Sequence, residues 1–516
     1  MNERRRGLVF LFLLVSPLLF TYLPAMKAGY THWDDPLYTY ENPLARNFTP
    51  SAAARSFYTF RFSNYNPLTD LALAVEARIF GETPAVRHAG AVLLHGVNAV
   101  LLFFLLAGIL GSEPAALAGA LLWALLPVNV ESAAWIAERK NLLYAFFCLA
   151  ALLCYLKRLS GGRAAWLWGA AGLFLLGLFS KAAAVSLPLA MLALDWRYGR
   201  PLDRKNLLEK AGFFALAGIF ALTAAAAQGG SGRLLLGNFP GLLSFYLLKT
   251  VWPAALSALY PYRETLAALK ASPFLYTLPA AAFAGALAWA VKKEKDTALG
   301  LLFFLVNILP FAVIIPAGPS LAADRYLYLA SGGLVLAACA LALRFPAGRW
   351  RMPTLAALFL AAALPAAAVT RARLAVWQTD ETLWTDVLEK YPRAVVANQN
   401  MAQALLEKGD WPAAREHLNL ALEEDPKNTE ALYNLGTALA RSGRPDEALP
   451  LLERALRLNP DNAPAWNNLG LVFAQLGRQD EAVKAFLMAS AADPSYAPAR
   501  ANLAAARARP SLRKKR

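Results

Sequence analysis

A chain of 516 residues has the length of three or four soluble domains, but 58% hydrophobic and only 17% charged residues exclude that reading, the soluble norm being roughly 45–50% and about 25%. With a mean hydropathy of +0.38, most of the chain is solvated by lipid, and intrinsic disorder, collagen and small disulfide scaffolds are excluded as well. The formal net charge of +16, from 51 Lys+Arg against 35 Asp+Glu, fits cytoplasmic loops obeying the positive-inside rule and contact with anionic lipid headgroups; no nucleic-acid-binding motif accompanies it.

From Gly7 to about Thr370 apolar stretches of membrane-spanning length follow one another. Arginines at the start precede a run too long for a signal peptide, which predicts a retained first span with its N-terminus inside. Further spans are predicted near 89–110, 115–130, 141–156, 164–180, 183–195, 211–227, 273–290, 298–315, 323–343 and 353–370. The loop from about Lys27 to Arg87 (27–87) is long, extracytoplasmic and rich in interfacial aromatics. Leu235 to Leu256 is interrupted by Gly237, Pro240, Gly241, Lys249 and Pro253. If it is re-entrant, the basic clusters around Lys157, Arg197, Lys292 and Arg344 all fall inside, giving about 11 transmembrane helices with the C-terminal domain outside. Cys148, Cys154 and Cys339 lie in apolar runs and have no metal-ligand spacing.

Residues 371–394 read as an amphipathic linker, 395–508 as repeats and 509–516 as a basic tail. Pro426, Pro460 and Pro494 recur at a step of 34, as do Gly409, Gly443 and Gly477, and Ala414, Ala448 and Ala482. This is the tetratricopeptide pattern, with small residues where paired helices touch and Pro at the turn. Three repeats and a closing helix near Ala497–Ala506 suffice for an α-solenoid.

Ionisable residues at span ends are functional candidates because a charge there is costly. Trp33-Asp34-Asp35-Pro36 offers paired carboxylates suited to a general base, or else a solvated turn in which one carboxylate caps a short helix. Around Glu131, a continuous helix would put Glu131, Trp135 and Glu138 on one face with Arg139 close by, either as site or as interfacial anchor. Lys181 is a lone cation after a span, and snorkelling is its plainer explanation. Asp324-Arg325-Tyr326 places a phosphate-gripping or merely interfacial arginine at the outer start of another span. Together these motifs put carboxylates and the cations Arg139, Lys181 and Arg325 on one side of the membrane, as transfer from a lipid-phosphate donor requires. Walker, HExxH, nucleophile-elbow and dinucleotide fingerprints are absent from the sequence.

The order of motifs resembles the transmembrane and tetratricopeptide-repeat protein O-mannosyltransferases and their bacterial relatives, within the GT-C glycosyltransferase superfamily. The resemblance runs through Trp33-Asp-Asp-Pro-Leu-Tyr, Asn66-Pro-Leu-Thr, His88 with His95 and Asn98, and Pro127-Val-Asn-Val-Glu-Ser-Ala-Ala-Trp-Ile with Arg139. It continues through Phe179-Ser-Lys181 with Asp195, Tyr246 to Tyr260, and Asp324-Arg-Tyr-Leu-Tyr. It implies an all-α GT-C-like membrane domain over 1–370, a catalytic base at Asp34 with Asp35 as partner, a polyprenyl-phosphate-linked sugar as co-substrate, often mannose, and inverting transfer without a metal or other cofactor. Glu131 is a third catalytic candidate, Arg139, Lys181 and Arg325 are candidates for the donor phosphate, and His95, Glu138 and Tyr326 for supporting roles.

The expected function is sugar transfer to a hydroxyl acceptor, plausibly Ser/Thr of a protein or peptide held in the repeat groove. A non-catalytic membrane scaffold that recruits proteins is the alternative, as is an enzyme of the same fold acting on a glycolipid or cell-wall glycan. The Ala/Leu/Arg-rich composition and compact loops point to a bacterial inner membrane with periplasmic repeats, or in a eukaryote to the endoplasmic reticulum with luminal ones.

Overall fold

A computed structural model describes residues 3–61, 63–228, 233–234, 236–315, 320–345 and 351–508, so the basic tail lies outside the described residues. The chain forms two compact units, Met1–Thr382 and Leu383–Arg516, dividing inside the stretch expected to be a linker.

The first unit is built from helices: α1 (Glu3–Tyr22), α2 (Pro67–Phe80), α3 (Pro84–Leu110), α4 (Glu113–Ala124), α5 (Val130–Ala134), α6 (Arg139–Leu159), α7 (Ala165–Ser180), α8 (Leu187–Arg197), α9 (Arg204–Ala227), α10 (Phe239–Val251), α11 (Pro273–Lys293), α12 (Lys295–Val313), α13 (Leu327–Ala342) and α14 (Arg351–Val376). Local sequence sets their ends. Proline at the first turn begins α2 and α3, where no N–H is missed, and Gly111 closes α3 in the left-handed region at φ 64°.

Among the described residues seven helices are long and apolar enough to cross a membrane. They become eight if Glu113–Ala124 and Pro127–Ala134, bent by 57°, count as one broken span. The sequence expects about 11, and the difference lies in stretches that form shorter or bent apolar helices. Every predicted stretch holds a helix, but α7 has 16 residues and α8 has 11, and at 1.5 Å per residue these reach only about 24 Å and about 16 Å of a hydrocarbon core about 30 Å thick. Apolar stretches register in the sequence whether or not the helix they form is whole. Within the doubtful segment, α10 has 13 residues, and the chain after it forms a strand, Tyr260–Pro261, paired antiparallel with Ser320–Ala322.

Helix α12 crosses α13 with almost no space between backbones. A Cβ on Gly300 would lie 2.5 Å from the Gly333 carbonyl oxygen, and one on Gly333 would lie 2.4 Å from that of Gly300. Small residues permit such close approach in lipid, where helix association depends on packing.

The second unit stacks three helical hairpins, Val395–Lys408 with Trp411–Glu424, Thr429–Arg441 with Pro445–Leu458, and Ala463–Gln475 with Gln479–Ala492, closed by Ala497–Ala508. Gly409, Gly443 and Gly477 turn each hairpin at φ 82°, 75° and 72°. Alanines and bulky apolar residues recurring at the 34-residue step, among them Ala414, Leu418, Ala448, Leu452, Ala482 and Phe486, form its core.

Candidate functional site

Trp33 to Tyr38 folds into a short turn of helix, Asp35–Tyr38, after the first long helix. Asp35 is buried, and its carboxylate is fully committed. One oxygen accepts from the backbone and hydroxyl of Thr31 at 2.9 Å each, and the other from the Ala137 N–H at 2.9 Å. Burial pushes its pKa up to about 7 against the pull of these donors. Asp34 occupies the N-cap position without capping the helix, and its carboxylate has no hydrogen bond or ion pair among the described residues. Partial burial raises its pKa, while Lys140 and Arg325 draw it back down.

Beyond Asp34 lies a cluster assembled from four helix ends. Glu138, buried in a 3-10 turn over Ile136–Glu138, is its centre: Lys140 Nζ lies 3.2 Å from one carboxylate oxygen, Arg325 Nε 3.5 Å from the same oxygen, and Lys181 Nζ 3.0 Å from the other. The Arg325 guanidinium pairs with Glu131, whose second oxygen accepts the Arg325 backbone N–H at 2.7 Å. Lys181 also donates to Asn141 Oδ1 at 2.8 Å, and Asn141 donates to Ser132 at 2.8 Å and to the Arg325 carbonyl at 2.6 Å. Three carboxylates and three cations thus converge, and of these Asp34, Lys181 and Arg325 stay partly exposed. Aromatic rings frame them. Trp33 stacks on Trp135 with centroids 4.5 Å apart, Arg325 lies over Trp135 and Tyr326, and Tyr326 stacks on Phe311 at 4.0 Å.

The structure therefore brings Asp34, Glu131, Glu138, Lys181, Arg325 and Tyr326 together and separates three other candidates from them. Asp35 fastens the loop to the turn before α6. Arg139 points away into a network of its own, 3.0 Å from Glu76 and donating to the Arg87 carbonyl, while Arg87 pairs with Glu76 and Glu82. His95 lies deeper in the helices against Ala124 and Tyr328.

Lys140 takes the place expected of Arg139, and Asn141 joins it. The reason is helix phase. The expected continuous helix through Glu131 and Glu138 is interrupted: α5 ends at Ala134 and Trp135 is extended at φ −85°, ψ 116°. The turn that follows rotates the Arg139-Lys140 pair so that lysine faces Glu138. The adjacent basic residues were visible in the sequence, but the interruption was not.

Such an arrangement can accept a proton at Asp34 while cations neutralise an anionic group beside it. Residues 65–228 match the dolichyl-phosphate-mannose-protein mannosyltransferase family, and 381–429, 399–453 and 433–497 match tetratricopeptide repeats. The first match takes in Glu131, Glu138, Lys140 and Lys181, while Asp34 and Arg325 fall outside it. Among solved structures, the first tetratricopeptide domain of human RPAP3 is 19% identical with a TM-score of 0.22, the alignment covering 22% of this chain and 91% of that one. MamA from Desulfovibrio magneticus RS-1, from residue 41 to its end, is 20% identical with a TM-score of 0.23, covering 30% and 81%. No curated protein matches the chain. Fold and site define an integral membrane protein of helices joined to a helical repeat unit. Over 65–228 it is similar to the protein mannosyltransferases, and its C-terminal part to tetratricopeptide repeats.

Proposed function

We propose that this protein transfers a sugar, mannose by analogy with the matched family, from a polyprenyl-phosphate donor to a hydroxyl of an acceptor, Ser or Thr of a polypeptide being the leading candidate. The observation that carries the reading is the unpartnered carboxylate of Asp34 beside Lys140 and Arg325. The acceptor oxygen attacks the anomeric carbon as its proton passes to Asp34. The bond from that carbon to the phosphate oxygen breaks, and its electron pair leaves with the polyprenyl phosphate. Arg325, Lys140 and Lys181 neutralise the charge growing on that phosphate, so the reaction proceeds without a metal or other cofactor. Attack opposite the leaving group inverts the anomeric centre.

We place the reaction on the extracytoplasmic side. Arg158, Arg197, Arg200 and Lys210 lie at the helix ends opposite the site and suit the cytoplasmic face. Trp377, just past α14, packs on Trp135, so the chain leaves the first unit at the end that holds the site. The repeats are proposed to gather protein acceptors there.

The test is transfer from radiolabelled polyprenyl-phosphate-mannose in membranes, wild type against Asp34→Asn. Transfer by wild type alone supports the reading. Absence of transfer with any hydroxyl acceptor leaves a membrane scaffold as the function.

A further inference from the structure

Two consecutive carbonyls, those of Ala124 and Leu125, lose their helical partners where α4 ends, while the Trp123 carbonyl keeps the Leu126 N–H at 3.2 Å. Pro127 has no N–H to offer Trp123 in the α-helical pattern, and the 57° bend carries the N–H groups of Val128 and Asn129 away from Ala124 and Leu125. Each of the three carbonyls accepts from a buried side chain of a different element, and for Ala124 and Leu125 that side chain replaces the lost backbone partner. Asn129 Nδ2 donates to Trp123 at 2.6 Å, His95 Nε2 donates to Ala124 at 3.0 Å, and the Thr370 hydroxyl donates to Leu125 at 2.8 Å. Unsatisfied backbone at this depth would cost several kcal/mol per group, so the bend depends on these caps.

His95 differs from the other two in its second contact. Its Nδ1 lies 2.8 Å from the Tyr328 hydroxyl, and Asn98 Nδ2 donates to the same hydroxyl at 3.1 Å, which leaves the Tyr328 proton for the imidazole. Trp123, beside the bend, donates its indole N–H to the Tyr328 carbonyl at 2.9 Å. Tyr328 stands three residues after Arg325, and Glu131 stands four after Pro127. The imidazole therefore bridges the break that aims Glu131 and the helix that follows Arg325.

We infer that His95 is a positioning residue that sets the register of the Glu131–Arg325 pair by capping the broken helix and holding Tyr328. Resting on the proposed transfer reaction at that pair, the inference assigns His95 no contact with substrate. Glutamine can reproduce both contacts, since its amide N–H reaches the Ala124 carbonyl and its carbonyl accepts from Tyr328. Phenylalanine fills the space and makes neither bond.

The experiment uses the full chain in lipid nanodiscs with His95→Gln, His95→Phe, Tyr328→Phe and the double variant His95→Phe/Tyr328→Phe. Two readouts are followed: transfer from polyprenyl-phosphate-mannose, and hydrogen exchange of the backbone over 123–134. His95→Phe is expected to lower kcat/KM for the donor by about tenfold or more, as losing a buried hydrogen-bond partner does, and to speed exchange over 123–134. His95→Gln restores both, and the double variant is no worse than His95→Phe, because the two side chains act as one bridge. Unchanged activity and exchange in His95→Phe, or failure of glutamine to restore them, overturns the inference. If wild type transfers no sugar, the transfer reading fails and exchange alone decides: acceleration in the Phe variant but not in the Gln variant keeps His95 as the cap, and no acceleration removes it.

Discussion

Asp34 and Asp35 are neighbours in the chain with opposite circumstances: Asp35 spends both oxygens on Thr31 and Ala137, while Asp34 keeps its own free. Asp34→Asn should accordingly cost roughly 10²–10⁴ in transfer rate, the usual worth of a positioned base. Asp35→Asn should act mainly on thermal stability, measured as melting in detergent. A base must be ionised, and burial raises Asp34, so the acid limb of kcat against pH should lie above the ordinary carboxylate range. Lys140 pulls that pKa down, so Lys140→Met at saturating donor should move the limb to still higher pH; an unmoved limb would assign the base elsewhere. The adjacent cations divide in a similar way. Lys140→Ala should raise the donor KM. Arg139→Ala should leave donor KM near wild type and lower the melting temperature, because it breaks the pairing with Glu76. Sequence identified the basic pair and the acidic pair, but which member of each serves the site depends on where the backbone turns.

At the scale of elements, the 3-10 turn that carries Arg325 runs into α13, which meets α12 through Gly300 and Gly333. Gly333→Val would force backbones apart, and because backbone cannot swing aside as a side chain does, both melting temperature and donor affinity should fall together. A variant that melts as wild type does and binds donor normally would show that the contact is not needed. In the repeats, a Cβ on Gly470 would come within 2.5 Å of the Phe486 ring. Gly470→Ala should destabilise this unit by about 1–3 kcal/mol, the range for overpacking a filled core, as read from denaturant unfolding of the repeat signal. The 34-residue spacing made the repeat glycines legible because one hairpin recurs three times. Nothing in the sequence marked Gly300 and Gly333 as partners, since a crossing between two helices leaves no period.

For the whole molecule, removing everything after Thr382 should leave donor binding intact and reduce transfer to protein acceptors more than to short hydroxyl acceptors, since binding energy far from the reacting centre is what is lost. Equal loss for both acceptors would deny the repeats a role in recruitment. A periplasm-activated phosphatase fused at the C-terminus should be active, and one fused at Lys295 should be silent; the reverse pattern would put the repeats in the cytoplasm.

Composition and apolar run length by themselves determined that this is a helical membrane protein, because a bilayer demands long apolar segments wherever the chain crosses it. Periodicity likewise determined the repeat unit, and the order of motifs pointed to the mannosyltransferase-like class. Tertiary structure decided what depends on direction and phase. It showed which apolar stretches form long helices and which form short or bent ones, and that Lys140 rather than Arg139 faces Glu138. It also showed that Asp34 rather than Asp35 is free. A charge's identity is written in the chain, but its direction follows from breaks such as those at Pro127 and Trp135, and those breaks are held by side chains distant in sequence.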